Sequence, residues 1–298
     1  MKPKRTLSQS ISWWWNTRIR SLWTVKLPAA KHARDAAPSL AFKKNGTALP
    51  EPSTQSVTAI LTVYKRSEYL SAQIEALRNQ SIPPSEIWVW CNSSDQTIED
   101  FSAIADRVVV SNTNWKFWGR FALANMVRTQ YVCLFDDDVL PQTDWIKNCL
   151  DTLARGTQGI LGGSGVILPA EGGYSSKHKV GWNGHHYNEP THVDLVGHAW
   201  FFDKQLLRYM WEEAPYSWEN GEDIHFSAMA LKHGGIATYV PPHPENNQLL
   251  WSCRPDFGKA VGRTSTATFK SEGHHNVRDE IVDAARAGGW KIVADRTL

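Results

Sequence analysis

From Val57 onward, short apolar runs alternate with segments whose apolar residues recur at helical spacing. VTAILTV (Val57 to Val63) is apolar almost throughout, which predicts a strand buried on both faces. In Glu68 to Asn79, residues Leu70, Ile74 and Leu77 share one side of a helix. EIWVWC (Glu86 to Cys91) and RVVVS (Arg107 to Ser111) predict a second and third strand, Phe117 to Arg128 a helix, and YVCLF (Tyr131 to Phe135) a fourth strand. This rhythm predicts an α/β fold, a Rossmann-like and mostly parallel sheet with helices on both faces, forming a single domain over residues 56–298.

Residues 1–55 break the pattern. Pro28 to Ser56 is rich in Pro, Ala and Ser without periodicity and reads as a linker. Before it, Ile11, Trp15, Ile19, Leu22 and Trp23 stand at helical spacing, with Arg18, Arg20 and Lys26 nearby. Two readings stay open for residues 11–27: a helix lying in a membrane interface as a peripheral contact, or a helix docked on the domain through its tryptophans. No apolar run reaches the roughly 18 residues that a membrane-spanning helix needs.

Composition adds limits. A chain of 298 residues with 42% hydrophobic content can bury a substantial core, and a net charge of +2 gives no sign of a nucleic-acid partner. The 15 tryptophans suit sugar-stacking surfaces or a heavily aromatic core. Cys91, Cys133, Cys149 and Cys253 lack ligand spacing, which favours a reducing, cytoplasmic setting.

Ligands of parallel α/β sheets bind at the carboxyl ends of the strands. That rule gathers Tyr64 to Arg66, Asn92 to Asp95, Ser111 to Asn114 and Asp136 to Asp138 along one edge. Three adjacent carboxylates repel one another, so Asp136, Asp137 and Asp138 need partners or a metal. In extended backbone Asp136 and Asp138 point to one side and offer hard oxygen ligands to Mn²⁺ or Mg²⁺. The alternative is an acidic turn before the next helix, where Thr143 and Asp144 also look like helix-start residues. Glu222 and Asp223 open a further helix; they either cap it or aim a carboxylate at a hydroxyl nucleophile.

Taken in order, TVYKR (Thr62 to Arg66), WVWCN (Trp88 to Asn92), NTNWKFWGRF (Asn112 to Phe121), LFDDDV, GHAWFF (Gly197 to Phe202), GEDIHFSAMAL and HHNVRDEIVDA (His274 to Ala284) resemble the motifs of GT-A nucleotide-sugar glycosyltransferases. The resemblance is greatest to the exostosin-like type, family 64, with family 2 as the related alternative, and it covers about Val57 to Trp290. It implies the GT-A fold and a metal-dependent enzyme that moves a sugar from a UDP-sugar to a hydroxyl of a glycan or lipid-linked glycan. Retention is the expected outcome and inversion the alternative. By the same resemblance, Arg66 sits beside the diphosphate or uracil, Asn92 reads the base, and Asn112 or Asn114 lies near the nucleoside. Arg120 contacts the nucleotide, Asp136 and Asp137 belong to the donor site, and Asp138 with Asp136 holds the metal. Asp223, assisted by Glu222, faces the reacting sugars, and Arg278 with His274 or His275 closes over the diphosphate.

Exostosin-like enzymes of the secretory pathway carry cysteines where this chain has Gly221 and Ile281, a departure that supports a non-oxidising compartment. GWNGHHYNEPTH (Gly181 to His192) reads as an acceptor-side loop more than a metal site, with Trp182, Tyr187 and Trp200 either stacking on sugars or packing inside. The glycines of Gly159 to Pro169 suit strand packing, since no Gly-Lys-Ser/Thr follows. A nucleotidyltransferase is disfavoured because no Gly-rich loop follows Val63, and a non-catalytic glycan-binding module because Asp136, Asp138 and Asp223 are intact.

Overall fold

The computed structural model describes residues 55–64, 66–93, 101–261 and 273–296. The expectations for residues 11–27 and for the linker fall outside the described residues.

The first half of the domain follows the predicted alternation. Strands β1 (Val57–Val63), β2 (Glu86–Asn92), β3 (Arg107–Ser111) and β4 (Tyr131–Phe135) pair in parallel in the order β3-β2-β1-β4. Helices α1 (Leu70–Arg78), α2 (Gly119–Ala124) and α3 (Trp145–Ala154) connect them and lead onward. Alternate strand residues face opposite layers, as a two-residue period requires. Ile60, Trp90, Val132 and Leu134 join one cluster with Phe121 and Phe226. Ala59, Leu61, Cys133 and Phe135 join the other, with Leu70, Ile74 and Trp145 from α1 and α3.

Beyond α3 the sheet becomes mixed, which the parallel rhythm of the first half does not foretell. Strands β5 (Gly159–Ile167), β6 (His178–Gly181), β7 (Thr191–Val193), β8 (Leu195–Asp203) and β9 (Ala237–Val240) complete nine strands among the described residues. β8 inserts antiparallel between β4 and β5. Between the pairs Gly162–Trp200 and Ser164–Gly197, β8 takes one residue more than β5, a bulge at His198 and Ala199. Helices α4 (Glu222–Gly234), α5 (Pro255–Val261), α6 (His274–Ala287) and α7 (Val293–Arg296) follow. Among the described residues eight tryptophans are buried in the core, while Trp115, Trp211 and Trp218 are exposed. No helix among the described residues is long and apolar enough to cross a membrane.

Candidate active site

Register brings the acidic cluster together. β1 and β4 pair from Val57–Tyr131 to Leu61–Phe135, so their carboxyl ends lie side by side, with Arg66 near Asp137. β8 runs the other way, with Ala199 opposite Phe135, and His198 is therefore the next residue beside Asp136. The Asp136 amide donates to the His198 carbonyl at 3.4 Å. His198 has φ +71°, the left-handed region that few side chains adopt, which the bulge in β8 imposes. One ligand atom from each of Asp136, Asp138 and His198 lies within 4.8 Å of the others. Burial pushes the His198 imidazole down to about 4, so it is neutral at physiological pH and able to ligate. Its Nε2 is buried without a partner among the described residues. Two carboxylates and a neutral imidazole form a donor set that fits Mn²⁺ or Mg²⁺.

Arginines surround this cluster in a cleft of about 220 Å³. Arg66 forks onto both oxygens of Asp137, with Nε–Oδ2 at 2.9 Å. Arg120, from the first turn of α2, pairs with Asp136 and donates to Glu222 at 3.2 Å, its guanidinium resting 4.4 Å above the Trp200 ring. Burial opposes the charge of Arg120, but Asp136 and Glu222 outweigh it and hold its pKa above the ordinary arginine value. Arg278 projects from α6, binds Asp223 at 2.6 Å and Asn220 Oδ1 at 3.1 Å, and lies 4.1 Å above the Tyr174 ring. Asn220 Nδ2 also donates to His274 Nδ1 at 3.1 Å.

Asp137, Asp138 and Glu222 hold their protons more tightly than ordinary carboxyls. Burial, followed by the charge of Asp136, raises Asp138 to about 6; burial raises Asp137 to about 6 against the pull of Arg66. Glu222 reaches about 7 through burial and the neighbouring charge of Asp223. A cation arriving among such groups displaces protons and gains their full negative charge.

The structure gathers Arg66, Arg120, Asp136, Asp137, Asp138, Glu222, His274 and Arg278 at the cleft. Asp223 stands just behind Arg278, one oxygen taken by that guanidinium and the other by the Ile224 amide. Asn92 is placed differently. Its Nδ2 donates to Asn114 Oδ1 at 3.0 Å and to the Lys116 carbonyl at 2.9 Å, and its Oδ1 accepts from the Trp115 amide. Buried and bonded on both ends, Asn92 shapes the 114–116 turn, and Asn114 is part of the same lock. Asn112 lies exposed on the surface, and exposed His275 stacks on Tyr174 outside the cleft. His198 was absent from the sequence-derived site; its only signal was a histidine inside the otherwise apolar run VGHAWFF.

The family model for glycosyl transferase family 2 matches residues 58–211, from the second residue of β1 through β8, with the acidic cluster inside it. The chain belongs to glycosyl transferase family 2. Its mixed sheet flanked by helices is a GT-A, Rossmann-like fold. No curated protein matches it. Among solved structures it is similar to TarS of S. aureus, residues 1–349, at 15% identity and a TM-score of 0.45, covering 63% of this chain and 60% of that one. A complex of the same protein with UDP-GlcNAc aligns at 16% identity and a TM-score of 0.45, covering 65% and 60%. The chain thus spans less than two thirds of these TarS chains.

Proposed function

We propose that the enzyme moves a sugar from a UDP-sugar to a hydroxyl of a glycan or lipid-linked glycan, with Mn²⁺ or Mg²⁺ held by Asp136, Asp138 and His198. The observation that carries the reading is the closeness of those three ligand groups at the end of β4, ringed by Arg66, Arg120 and Arg278. When bound, the cation neutralises the diphosphate charge that grows as the glycosidic bond breaks. Arg66, Arg120 and Arg278 supply fixed forks for the same oxygens, in a partly buried cleft where charge-assisted bonds are strong. Asn92 and Asn114 act on the nucleoside indirectly, by fixing the turn that carries Asn112 and Phe117.

Retention is the outcome that the exostosin likeness implies. It needs no protein base, because the leaving phosphate can take the acceptor proton, and it agrees with an Asp223 carboxylate tied to Arg278. Inversion is the second reading. It needs a base, and the buried Glu222 carboxyl, whose pKa is raised to about 7, is the group suited to it. The anomeric configuration of the product, read by NMR, separates the two. The buried thiols of Cys133, Cys149 and Cys253 support a reducing compartment.

Calorimetric titration of UDP with and without Mn²⁺, then incubation with a panel of nucleotide sugars, tests the donor assignment. We expect Mn²⁺ to tighten UDP binding at least about tenfold, ~1.4 kcal/mol, and one UDP-sugar to release UDP slowly without an acceptor. UDP affinity indifferent to metal would overturn the reading.

A further inference from the structure

A second cavity, of about 350 Å³, adjoins the acidic cluster and is lined by Trp182, His186, His243, Glu245, Gln248 and Trp251. His198 connects the two. The Trp182 indole lies flat against the His198 imidazole, with centroids 5.3 Å apart and planes 4° from parallel. On the same side Cys253, two residues beyond Trp251, lies 3.8 Å from the Asp138 carbonyl, and the Leu140 amide donates to its sulfur.

The lining combines flat aromatic surface with polar edges. His186, His243 and Trp251 stack nearly parallel, at 4.9 Å between His186 and Trp251 and 4.5 Å between His243 and Trp251. Glu245 and Gln248 are exposed at the edge. His243 is only 2% exposed, its Nδ1 is bonded to His186 Nδ1 at 2.9 Å, and its Nε2 has no partner among the described residues. Whichever tautomer is present, one buried nitrogen of this ring is left open to a ligand.

The chemistry of the lining selects the ligand. A phosphate or nucleotide is disfavoured because no lysine or arginine among the described residues lines the cavity and Glu245 would repel an anion. A hydrocarbon chain would leave His243 Nε2 unsatisfied. A neutral pyranose ring meets both demands: its C–H face lies on an aromatic plane and its hydroxyls bond the polar edge. The volume falls in the lower part of the roughly 300–1,000 Å³ range of small-molecule sites.

We propose that this cavity is a saccharide subsite, holding an uncharged pyranose ring of the acceptor while the hydroxyl to be glycosylated lies beyond His198. The proposal rests on the glycan-acceptor reading above and names where that acceptor is gripped.

Saturation-transfer NMR on the full chain tests it, using methyl glycosides of glucose, galactose, N-acetylglucosamine and N-acetylgalactosamine. Runs are made with Mg²⁺ alone and with Mg²⁺ plus UDP. At least one glycoside should receive saturation at its ring protons. The exposed-site double variant Glu245→Ala/Gln248→Ala, and separately His186→Ala, should weaken that binding about tenfold with melting temperature and UDP affinity retained. No signal from any glycoside on protein that binds UDP, or a signal unchanged in both variants, overturns the subsite. Uridine protons losing saturation in the variants would do the same, by assigning the cavity to the donor. A glycoside that binds where UDP does not would strike the donor assignment and leave the subsite standing.

Discussion

At the scale of single residues, His198 and Asp138 make separable contributions. Asp138 is one of two carboxylates at the cluster, so Asp138→Asn removes a charge but little volume. The expected result is loss of metal-dependent UDP binding in calorimetry, with a circular-dichroism spectrum like wild type. Unchanged metal-dependent affinity would remove Asp138 from the ligand set. His198 differs because its backbone is strained at φ +71°. Asn tolerates that region better than most residues, so His198→Asn isolates the loss of the imidazole from backbone strain. We expect metal affinity, read through UDP titration at several Mn²⁺ concentrations, to fall about tenfold or more while the melting temperature changes little. A variant that binds Mn²⁺ like wild type would limit the site to the two carboxylates.

At the scale of elements, the α4–α6 pair holds the far wall of the cleft. Gly221 caps α4 at φ +86°, and a Cβ placed there would lie 2.6 Å from Ile281 Cδ1 on α6. These are the two positions where exostosin-like enzymes carry cysteines, and here a bare glycine lets the helix start press against an isoleucine. Gly221→Ala therefore both strains the cap and pushes α6 away, carrying Arg278 from Asp223. The expected cost is about 1–3 kcal/mol, with UDP affinity reduced as well; a denaturant midpoint equal to wild type would show that α6 can yield freely. Elements also decided what could be read in advance. β1 to β4 stood out because continuous apolar runs ending at polar residues are what a doubly covered parallel strand needs. β6 and β7, of four and three residues, are too short to carry a period. The antiparallel entry of β8 depends on pairing between distant segments, which no local pattern records, and with it went His198. Asn92 was legible as a strand-end polar residue, but not the direction of its amide, which depends on where the 114–116 turn folds back.

For the whole molecule, the buried ionisable groups oppose one another across pH, and the balance is a measurable signature of the site. Glu222 moves from an ordinary 4.5 to about 7, so the folded state holds its proton more tightly than the unfolded chain. That contribution is fully present below pH 4.5 and is lost as pH rises through about 7. Asp137 and Asp138, raised to about 6, act in the same sense at slightly lower pH. His198, His243 and His274 are pressed down to about 4, 3 and 4, so they favour the folded state above their ordinary value and weaken it as pH falls below 6.5. The metal-free protein should therefore be most stable between about pH 6 and 7. From pH 8 to 6.5 the Glu222 proton alone stabilises by about 1 kcal/mol, which is about 2–4 °C in melting temperature for a chain of this size. Glu222→Gln keeps the hydrogen-bond acceptor for Arg120 without the titration, so the wild type should gain about 1 kcal/mol on it from pH 8 to 6.5, the histidine contributions being common to both and cancelling in the difference. Mg²⁺ at millimolar concentration should stabilise the wild type more at pH 8 than at 6.5, because it binds the deprotonated carboxylates. Thermal melts of both proteins at pH 6.5, 7.2 and 8, with Mg²⁺ and with chelator, read all of this directly. A melting-temperature difference between chelated wild type and Glu222→Gln that is the same at pH 8 and 6.5 would mean that Glu222 is not held protonated by its surroundings, and the case for it as the base in an inverting reaction would go with it.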